Sequence, residues 1–550
     1  MATTTVPNAD SGNLLGHPKG LFILFATEMW ERFSFYGMRA LLIFYLTKHF
    51  LFRDGEASLI YGAYTALVYL TPVIGGILAD RYLGPRKAVT YGALLLVLGH
   101  LGMAFEGPPS FVNGEVVVRS AFHLQCFFFS LSLIATGVGF LKANISTMVG
   151  GLYKQGDSRR DGGFTIFYMG INLGALVSSL LCGYLGETYG WSYGFGAAGV
   201  GMLVGLGIFT WGRRHLGLVG EPHDPAKLAE KFAGLSREWW IYLGGFVIVA
   251  LSFVLLRMDQ VVGAVWGDFT PVGIILLIFS AVMLSVIALH ATRECTKVER
   301  DRLFVASALI FFSVVFFALF EQAGSSLSLF TDRAVDRAGV PASMFQSLNP
   351  IFIVLLGPVF SWLWVRLSKR GLEPRTPVKF SFGILLVGLG FLALVAGVKL
   401  SGESTTALVG AYWIVLLYLL HTMGELCLSP VGLSMITKLS TPRIVGMMMG
   451  VWFLASSFAY YIAGLIAAMT GGNSHGGDVF ANLADAKANY VAVYGKVGML
   501  AMGIGFFILL ISPILKKGMH ERRQLVLEKN VVEGVEEELE TADRYPGKQD

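Results

Sequence analysis

Long apolar segments recur along this chain, and short polar stretches separate them. The segments are continuous and do not alternate apolar with polar residues, which disfavours the strands of a transmembrane β-barrel. Most have about the 20 residues that a helix needs to cross a bilayer. The pattern therefore predicts fourteen membrane-spanning helices. Their ranges are 21–47, 57–80, 86–105, 120–149, 163–186, 193–213, 237–256, 269–290, 301–330, 343–367, 377–399, 407–437, 443–469 and 488–515.

The spacing of these helices predicts two groups of six with an additional pair between them. Two six-helix repeats that enclose a substrate cavity near the midplane describe the major facilitator architecture. We therefore expect an all-α membrane protein of the major facilitator fold. The predicted divisions are a cytoplasmic N-terminus at 1–20, a six-helix bundle at 21–213, a linker with two additional spans at 214–300, a second bundle at 301–515 and a cytoplasmic tail at 516–550.

The composition supports a membrane protein, since 54% of the 550 residues are hydrophobic and only 14% are charged. Soluble domains carry about 25% charged residues. The net charge of +5 says less than the placement of the basic residues, which gather in alternate loops. Arg86 and Lys87 follow the second span, and Lys516 and Lys517 follow the last. Because positive residues favour the cytoplasmic side, both termini are predicted to be cytoplasmic.

The first span carries four charges, on Glu28, Glu31, Arg32 and Arg39. At 3.6 residues per turn these side chains and Tyr36 fall on one stripe of the helix. Each charge near the midplane costs roughly 3 kcal/mol, so the stripe has to face partners or a wet cavity. A soluble amphipathic helix is the alternative, and the apolar opposite face excludes it. Charges of this kind usually mark an ion or substrate path.

Charges on other spans lie at comparable depths. With a rise of 1.5 Å per residue from the cytoplasmic end, Arg39 and Glu321 both lie roughly 28–30 Å up their spans. On the same count Lys142 lies roughly 10–12 Å up and Glu425 about 18 Å. We therefore predict an outer layer of Arg39 and Glu321. The predicted inner layer combines Lys142 and Glu425 with the three first-span residues Glu28, Glu31 and Arg32, here named the carboxylate–arginine cluster.

The two layers predict a gate that is driven by protons. A buried ion pair closes one side, and breaking it strands charges unless a proton or ligand replaces the lost partner. Glu28 and Glu31 flank Arg32, so one carboxylate can pair with it while the other takes up a proton. A proton that enters down a potential of 100 mV supplies about 2.3 kcal/mol. Static structural pairs are the alternative, and five charges in one layer make that alternative weaker.

Four motifs resemble the proton-coupled oligopeptide transporters, the POT or PTR family of the major facilitator superfamily. The inserted helix pair is similar to the bacterial members. Family members commonly have Tyr where Phe35 stands, so one hydroxyl is absent here. The motifs are Glu-x-x-Glu-Arg-Phe-x-x-Tyr-Gly at 28–37, Gly-x-Gly-x-x-Lys-x-Asn at 137–144, Phe-Tyr-x-x-Ile-Asn-x-Gly at 167–174 and Gly-Glu-Leu-Cys-Leu-Ser-Pro-Val-Gly-Leu at 424–433.

This resemblance implies a symporter that imports di- and tripeptides with protons by alternating access. The carboxylate–arginine cluster, Lys142 and Glu425 would couple protons to transport. Arg39 and Lys142 would bind the peptide carboxylate, and Glu321 would meet the amino terminus. The implied gating pairs are Arg39–Glu321 and Lys142–Glu425. The implied binding site also includes Tyr36, Tyr69, Asn172, Asn349 and Trp452. Taken alone, Tyr69, Asn172, Asn349 and Trp452 are each more typical of helix packing.

The expected partners are short peptides, protons and the lipid bilayer, and we expect a monomer in the inner membrane of a bacterium. No cofactor other than the proton, no metal and no nucleic acid is expected. The four cysteines show neither metal-ligand spacing nor close pairing, and no nucleophile–base set indicates an enzyme. Two alternatives stay open, namely a transporter of the same fold for nitrate or a peptide-like compound, and a peptide sensor that does not transport.

Overall fold

The structure is a computed structural model that describes residues 13–114, 116–154, 156–402, 407–440, 444–471 and 483–520. Within the helix at 411–439 it describes the backbone of residues 430, 431, 433, 434 and 437 without their side chains. The predicted cytoplasmic tail from residue 521 onward and the first twelve residues lie outside the described part.

Long helices dominate the described residues, and most begin where the sequence supplies a start signal. Thr296 and Glu299 form a capping box at the start of one helix, and Pro271 opens another at its first position. The first group is α1 (Lys19–Phe44), α2 (Asp54–Leu78), α3 (Pro85–Ala104), α4 (Ala121–Gly151), α5 (Arg160–Tyr189) and α6 (Trp191–Gly212). The short α7 (Pro225–Ala229) precedes the inserted helix pair, α8 (Arg237–Val262) and α9 (Pro271–Arg293).

The second group contains the remaining spans. We name α1–α6 the first half and this second group the second half. The second half consists of α10 (Lys297–Phe320), α11 (Ser326–Ala334), α12 (Leu348–Lys369), α13 (Thr376–Leu400), α14 (Ala411–Leu439), α15 (Val445–Met469) and α16 (Leu483–Met519).

Short turns and strand pairs complete the described chain. Turns of π-helix follow α1 and α2, at Tyr45–His49 and Ala79–Leu83, and 3-10 turns lie at Arg213–Leu216, Glu321–Gly324 and Ala342–Ser347. The antiparallel strand pairs are β1 (Asn13–Leu14) with β2 (His17–Pro18), β3 (Phe111–Asn113) with β4 (Val116–Val118) and β5 (Lys231–Phe232) with β6 (Leu235–Ser236), and β7 (Val335–Asp336) pairs with β8 (Val409–Gly410) in parallel.

The described residues contain fourteen helical spans that are long enough to cross a membrane, in agreement with the prediction. Thirteen helices in the described part of the chain are long and apolar enough to span a bilayer, with α10 and α11 counted as one. The fourteenth is α1, which has 26 residues and carries the charged stripe. We define the outer face as the side where α1 ends and α2 begins, and the inner face as the opposite side.

The predicted span at 301–330 lies within the span Lys297–Ala334, and the structure shows that the α-helix is interrupted inside it. The α10 helix ends at Phe320, a 3-10 turn covers Glu321–Gly324, and Ser325 leaves the helical region with φ −130° and ψ −96° before α11 begins. The Gln322 side chain stabilises the break, because its Nε2 donates to the carbonyl oxygens of Ala318 and Ala463, each at 3.0 Å. Irregular backbone at membrane depth is tolerated where protein surrounds it in this way.

The two halves meet along α2 and α15 with almost no side chain between them. A Cβ added at Gly464 would lie 2.7 Å from the Cα of Gly62, and one added at Gly62 would lie 2.8 Å from the Cα of Gly464. Ser457 Oγ also donates to the Ala66 carbonyl at 2.7 Å. Small residues thus allow the two backbones to approach closely, as is usual between membrane helices.

We predict that Gly464→Ala lowers the free energy of unfolding by about 1–3 kcal/mol, because its methyl group has no room against α2. The control is Gly450→Ala on the same helix, where an added Cβ meets nothing within 4 Å. That control is expected to be neutral or slightly stabilising, because Ala favours a helix over Gly. The midpoint of thermal unfolding in detergent is measured for both variants. Equal midpoints would contradict the close packing of α2 against α15, here named the α2–α15 seam.

Candidate functional site

A buried ion pair joins the two halves where α10 is interrupted. Arg39 on α1 pairs through its guanidinium with the carboxylate of Glu321, and the residues are only 7% and 4% exposed. Arg39 Nε also donates to Tyr61 Oη at 2.6 Å. The break after Phe320 places Glu321 at this point. The predicted outer layer is therefore assembled in the structure, while its role as a gate stays a prediction.

Two further ion pairs connect the halves closer to the outer face. Arg333 on α11 forms a bidentate pair with Asp54 at the start of α2. Lys48 Nζ lies 2.8 Å from Asp332 Oδ2. Together with the seam between α2 and α15, these contacts close the outer face. These four residues were missed at the level of sequence, although each stands at the end of a span on the same side.

The carboxylate–arginine cluster is compact and buried on α1. Arg32 Nε donates to Glu28 Oε1 at 2.7 Å, one turn away. The same nitrogen lies 2.9 Å from Glu31 Oε2, but this contact lacks the geometry of a hydrogen bond. Among the described residues, neither Glu31 oxygen has a hydrogen-bond partner. The cluster therefore holds one cation between two carboxylates, and Glu28 satisfies that cation better than Glu31 does.

Lys142 approaches the cluster from α4 but makes its nearest contact with an aromatic ring. Its Nζ lies 3.7 Å from the centroid of Tyr69, within the range of a cation–π interaction. The Tyr69 ring stacks on Tyr460 at 4.2 Å, and their hydroxyls share a 2.7 Å hydrogen bond. A first-half lysine therefore connects to the second half through two tyrosines.

The carboxylate of Glu425 on α14 accepts a hydrogen bond from a side-chain amide. Asn349 Nδ2 on α12 donates to Glu425 Oε2 at 2.9 Å and to Thr422 Oγ1 at 3.1 Å. The described residues contain no ion pair between Lys142 and Glu425. In this structure Glu425 accepts from Asn349 at the cavity wall and Lys142 contacts the Tyr69 ring, so the pairing of Lys142 with Glu425 stays a prediction.

A cavity of about 220 Å³ lies between the halves, and Lys142 and the carboxylate–arginine cluster are not among the residues that line it. Its walls combine a cation, Arg39, with the carboxylates Glu321 and Glu425, and aromatic rings provide much of the remaining surface. Concave sites with an apolar wall and a few fixed polar groups are typical of small-molecule binding. The sequence-predicted residues on its wall are Tyr36, Arg39, Tyr69, Asn172, Glu321, Asn349 and Glu425.

Trp452 does not line this cavity, although the resemblance implied that it would. Its side chain is 9% exposed and packs at 88° to the ring of Phe317, which does line the cavity. Gly432 contacts the far edge of the indole, where an added Cβ would lie 2.6 Å away. Trp452 therefore supports the wall from behind, because the α14 backbone and Phe317 occupy the space on either side of it.

Several cavity residues were missed because each, as a single polar or aromatic residue in a span, looks like ordinary packing. Helical spacing was the signal that could have found two of them. Tyr168 lies one turn before Asn172, and Tyr418 lies two turns before Glu425. The missed residues on the wall include Tyr168, Ser179, Gln346, Tyr418 and Tyr460.

We predict that Glu321→Ala lowers the free energy of unfolding by about 3–5 kcal/mol, because it leaves Arg39 buried without its partner. The double variant Arg39→Leu/Glu321→Leu is expected to recover most of this loss. The control is Glu230→Ala, which breaks an exposed pair with Arg237 and should change stability by less than about 1 kcal/mol. Thermal unfolding in detergent compares the three. A Glu321→Ala midpoint equal to the control would contradict the importance of the buried pair.

Comparisons with known proteins show which family this chain belongs to. The model of the POT family matches residues 86–476. A peptide transporter of Yersinia enterocolitica is 39% identical over 85% of this chain and 90% of its own length, and a di-/tripeptide transporter of Lactococcus lactis is 34% identical over 92% and 98%. The crystal structure of a peptide transporter POT is 36% identical with a TM-score of 0.76, over 92% of this chain and 97% of that one. This chain is therefore a member of the POT family of transporters.

Proposed function

We propose that the protein imports di- and tripeptides together with protons by alternating access. The observation that carries the proposal is the cavity between the halves, whose walls present one cation and two carboxylates. A peptide is a zwitterion whose charged ends lie a few bonds apart, so it needs both signs of charge within a small volume. The relatives named as peptide transporters support the same substrate class.

In this proposal the cavity recognises the ends and backbone of the peptide. Arg39 binds the terminal carboxylate, with Lys142 as a second cation once it leaves Tyr69. Glu321 receives the amino terminus. Asn172 and Asn349 lie on the cavity wall, where their side-chain amides can bond the peptide backbone. Few of these groups would contact the side chains of a bound peptide, so the site accepts peptides of many sequences. Because the cavity volume is limited, it accepts only short peptides.

The carboxylate–arginine cluster is the proposed site of proton coupling. Glu28 already pairs with Arg32, whereas the oxygens of Glu31 have no hydrogen-bond donor in the described part of the chain. A proton on Glu31 would remove one negative charge from the cluster and leave the Glu28–Arg32 pair intact. Lys142 would then lose an attractive charge and become free to bind the peptide or a carboxylate on the second half.

The proposed cycle alternates between two sets of contacts. The present structure has Arg39–Glu321, Asp54–Arg333 and the α2–α15 seam in place, so the outer face is closed. In the alternate state, a Lys142–Glu425 pair closes the inner face and the outer pairs separate. Each pair that breaks exposes charge in a low-dielectric interior, which is costly unless a proton or a peptide end takes the empty place.

We also propose that the protein resides in the inner membrane of a bacterium with both termini in the cytoplasm. The basic residues of alternate loops support this orientation. The proposed transporter functions as a monomer and uses the proton as its coupling ion.

The proposal predicts that the reconstituted protein accumulates radiolabelled dialanine when an inward proton gradient is imposed. Unlabelled di- and tripeptides should compete, and free alanine should not. A collapsed gradient serves as the control. Absence of gradient-dependent uptake of any short peptide would refute peptide transport, while binding without uptake would favour a sensor. Uptake of nitrate in place of peptide would favour the alternative that the protein is a nitrate transporter of the same fold.

We predict that Glu31→Gln abolishes gradient-driven accumulation but retains exchange of peptide across the membrane. Gln has nearly the shape of Glu but cannot gain or lose a proton, so only coupling should be affected. The matched control is Glu294→Gln, which alters an exposed carboxylate at the end of α9. Uptake under a gradient and counterflow without one measure the two activities. Unchanged accumulation by Glu31→Gln would remove this residue from the coupling role.

A further inference from the structure

The proposed function leaves one buried carboxylate without a role. Asp259 lies near the outer end of α8 in the inserted helix pair and is 5% exposed. Its Oδ2 accepts from Thr270 Oγ1 at 2.5 Å, and its Oδ1 accepts from the Val272 backbone N–H at 2.8 Å. Both donors belong to the start of α9. Asp259 therefore ties the two inserted helices together at their outer turn.

The same turn is bonded to α15 in the second half. The Thr270 backbone N–H donates to Tyr461 Oη at 2.8 Å, and the Thr270 and Tyr461 hydroxyls lie 2.9 Å apart. The Tyr461 side chain is buried, and its ring packs against α9, where a Cβ added at Gly273 would lie 2.3 Å from a ring carbon. Asp259, Thr270 and Tyr461 form one chain of hydrogen bonds, which we name the α9–α15 link.

The other end of the inserted pair is fixed to the first half. Tyr91 on α3 donates its hydroxyl to the Tyr242 carbonyl on α8 at 2.8 Å, and the two rings stack at 4.8 Å. Lys87 Nζ lies 2.6 Å from Glu238 Oε2. The α8 helix is therefore fixed to the first half near the inner face and also near the outer face, where the Arg257 guanidinium lies 5.1 Å from the centroid of the Phe128 ring on α4. The α9–α15 link joins the inserted pair to the second half near the outer face.

The link lies directly beside the contact between the halves. Tyr461 and Leu454, although they belong to α15, pack within the hydrophobic cluster of the first half, together with Leu256 of α8 and Val272 of α9. The residue before Tyr461 is Tyr460, which stacks on Tyr69 of α2. The link is thus placed to hold α15 against the first half.

We propose that Asp259, Thr270 and Tyr461 are positioning residues for alternating access, and that the inserted helix pair is a clamp that favours the outer-closed state. The inference rests on the proposed function, because it assumes that α15 separates from α2 when the outer face opens. The clamp is anchored on both halves, so opening must detach Tyr461 from Thr270 or part α8 from α9. Either event leaves buried polar groups without partners.

A purely local reading is that Asp259 caps the N-terminus of α9. A cap of that kind would stabilise the turn between α8 and α9 equally in both states of the transporter. It would not explain why Thr270 turns its backbone N–H to a tyrosine of α15. The two readings therefore differ in one measurable quantity, the ratio of the outer-open to the outer-closed population.

Electron paramagnetic resonance can measure this ratio from the distance between two spin labels on the outer face. Val112 in the first half and Val340 in the second half are 54% and 40% exposed, which makes Val112→Cys and Val340→Cys suitable label sites. The four native cysteines are replaced in this background. The measurement uses the full chain in lipid nanodiscs, without peptide or gradient, and the thermal unfolding midpoint of each variant is recorded.

Tyr461→Phe and Thr270→Val should each raise the ratio of outer-open to outer-closed molecules roughly five- to tenfold, because each removes a buried hydrogen bond that only the closed state makes. Tyr461→Phe retains the ring that packs on Gly273. The matched control is Thr292→Val on the same helix, whose hydroxyl, among the described residues, donates to carbonyls of its own helix alone. The control should keep the distance distribution of the parent.

The inference is wrong if Tyr461→Phe and Thr270→Val keep the parental distance distribution. It is also wrong if they lower the unfolding midpoint alone, because a local cap has that effect. If one of these two variants does not fold, the other decides. Uptake of dialanine by the parent tests the proposed function separately, so normal uptake with unchanged distances would overturn the clamp and leave peptide transport in place.

Discussion

A charge inside a bilayer has to have a partner, and this constraint accounts for the layout of the interior. An unpaired charged side chain near the midplane is unfavourable by several kcal/mol or more, depending on how well water and lipid headgroups can reach it. Arg39 therefore finds Glu321 across the halves, and Arg32 finds Glu28 and Glu31 on its own helix. The cavity forms where these partners converge, and its polarity follows from them.

The partners fall into two kinds with different consequences for motion. The bond between Arg32 and Glu28 connects residues one turn apart, so it persists however the halves move. The bonds from Arg39 to Glu321 and from Arg333 to Asp54 exist only while the halves touch at the outer face. An ion pair within one helix thus suits a group that must hold or release a proton in every state. An ion pair between the halves stabilises only the state in which the halves touch.

The inserted helix pair belongs with the second kind of contact. It lies outside the twelve helices that enclose the cavity, yet it touches α3 at one end and α15 at the other. Its bonds to α15 are hydrogen bonds among buried groups, which are strong only while every donor has its acceptor. The pair therefore adds to the closed outer face without contributing a residue to the cavity wall.

The sequence by itself determined the fold class and the depth of the charges. Apolar segments of spanning length can only be helices in lipid, because every backbone group must be satisfied within the segment. Helical rise alone placed Arg39 and Glu321 at one level, and the structure pairs them. Periodicity also placed Glu28, Glu31 and Arg32 together, since residues on one helix keep their spacing whatever surrounds them.

Only the tertiary structure decided which distant groups meet. The depths of Lys142 and Glu425 along their spans predicted one shared layer. In the structure Lys142 contacts the Tyr69 ring, and Glu425 accepts a hydrogen bond from Asn349 on α12. The break after Phe320, the place of Trp452 behind the wall and the bond from Thr270 to Tyr461 likewise depend on neighbours that are remote in the chain. Sequence spacing fixes neighbours along one helix, whereas the rotation of each helix against the others follows from packing between them.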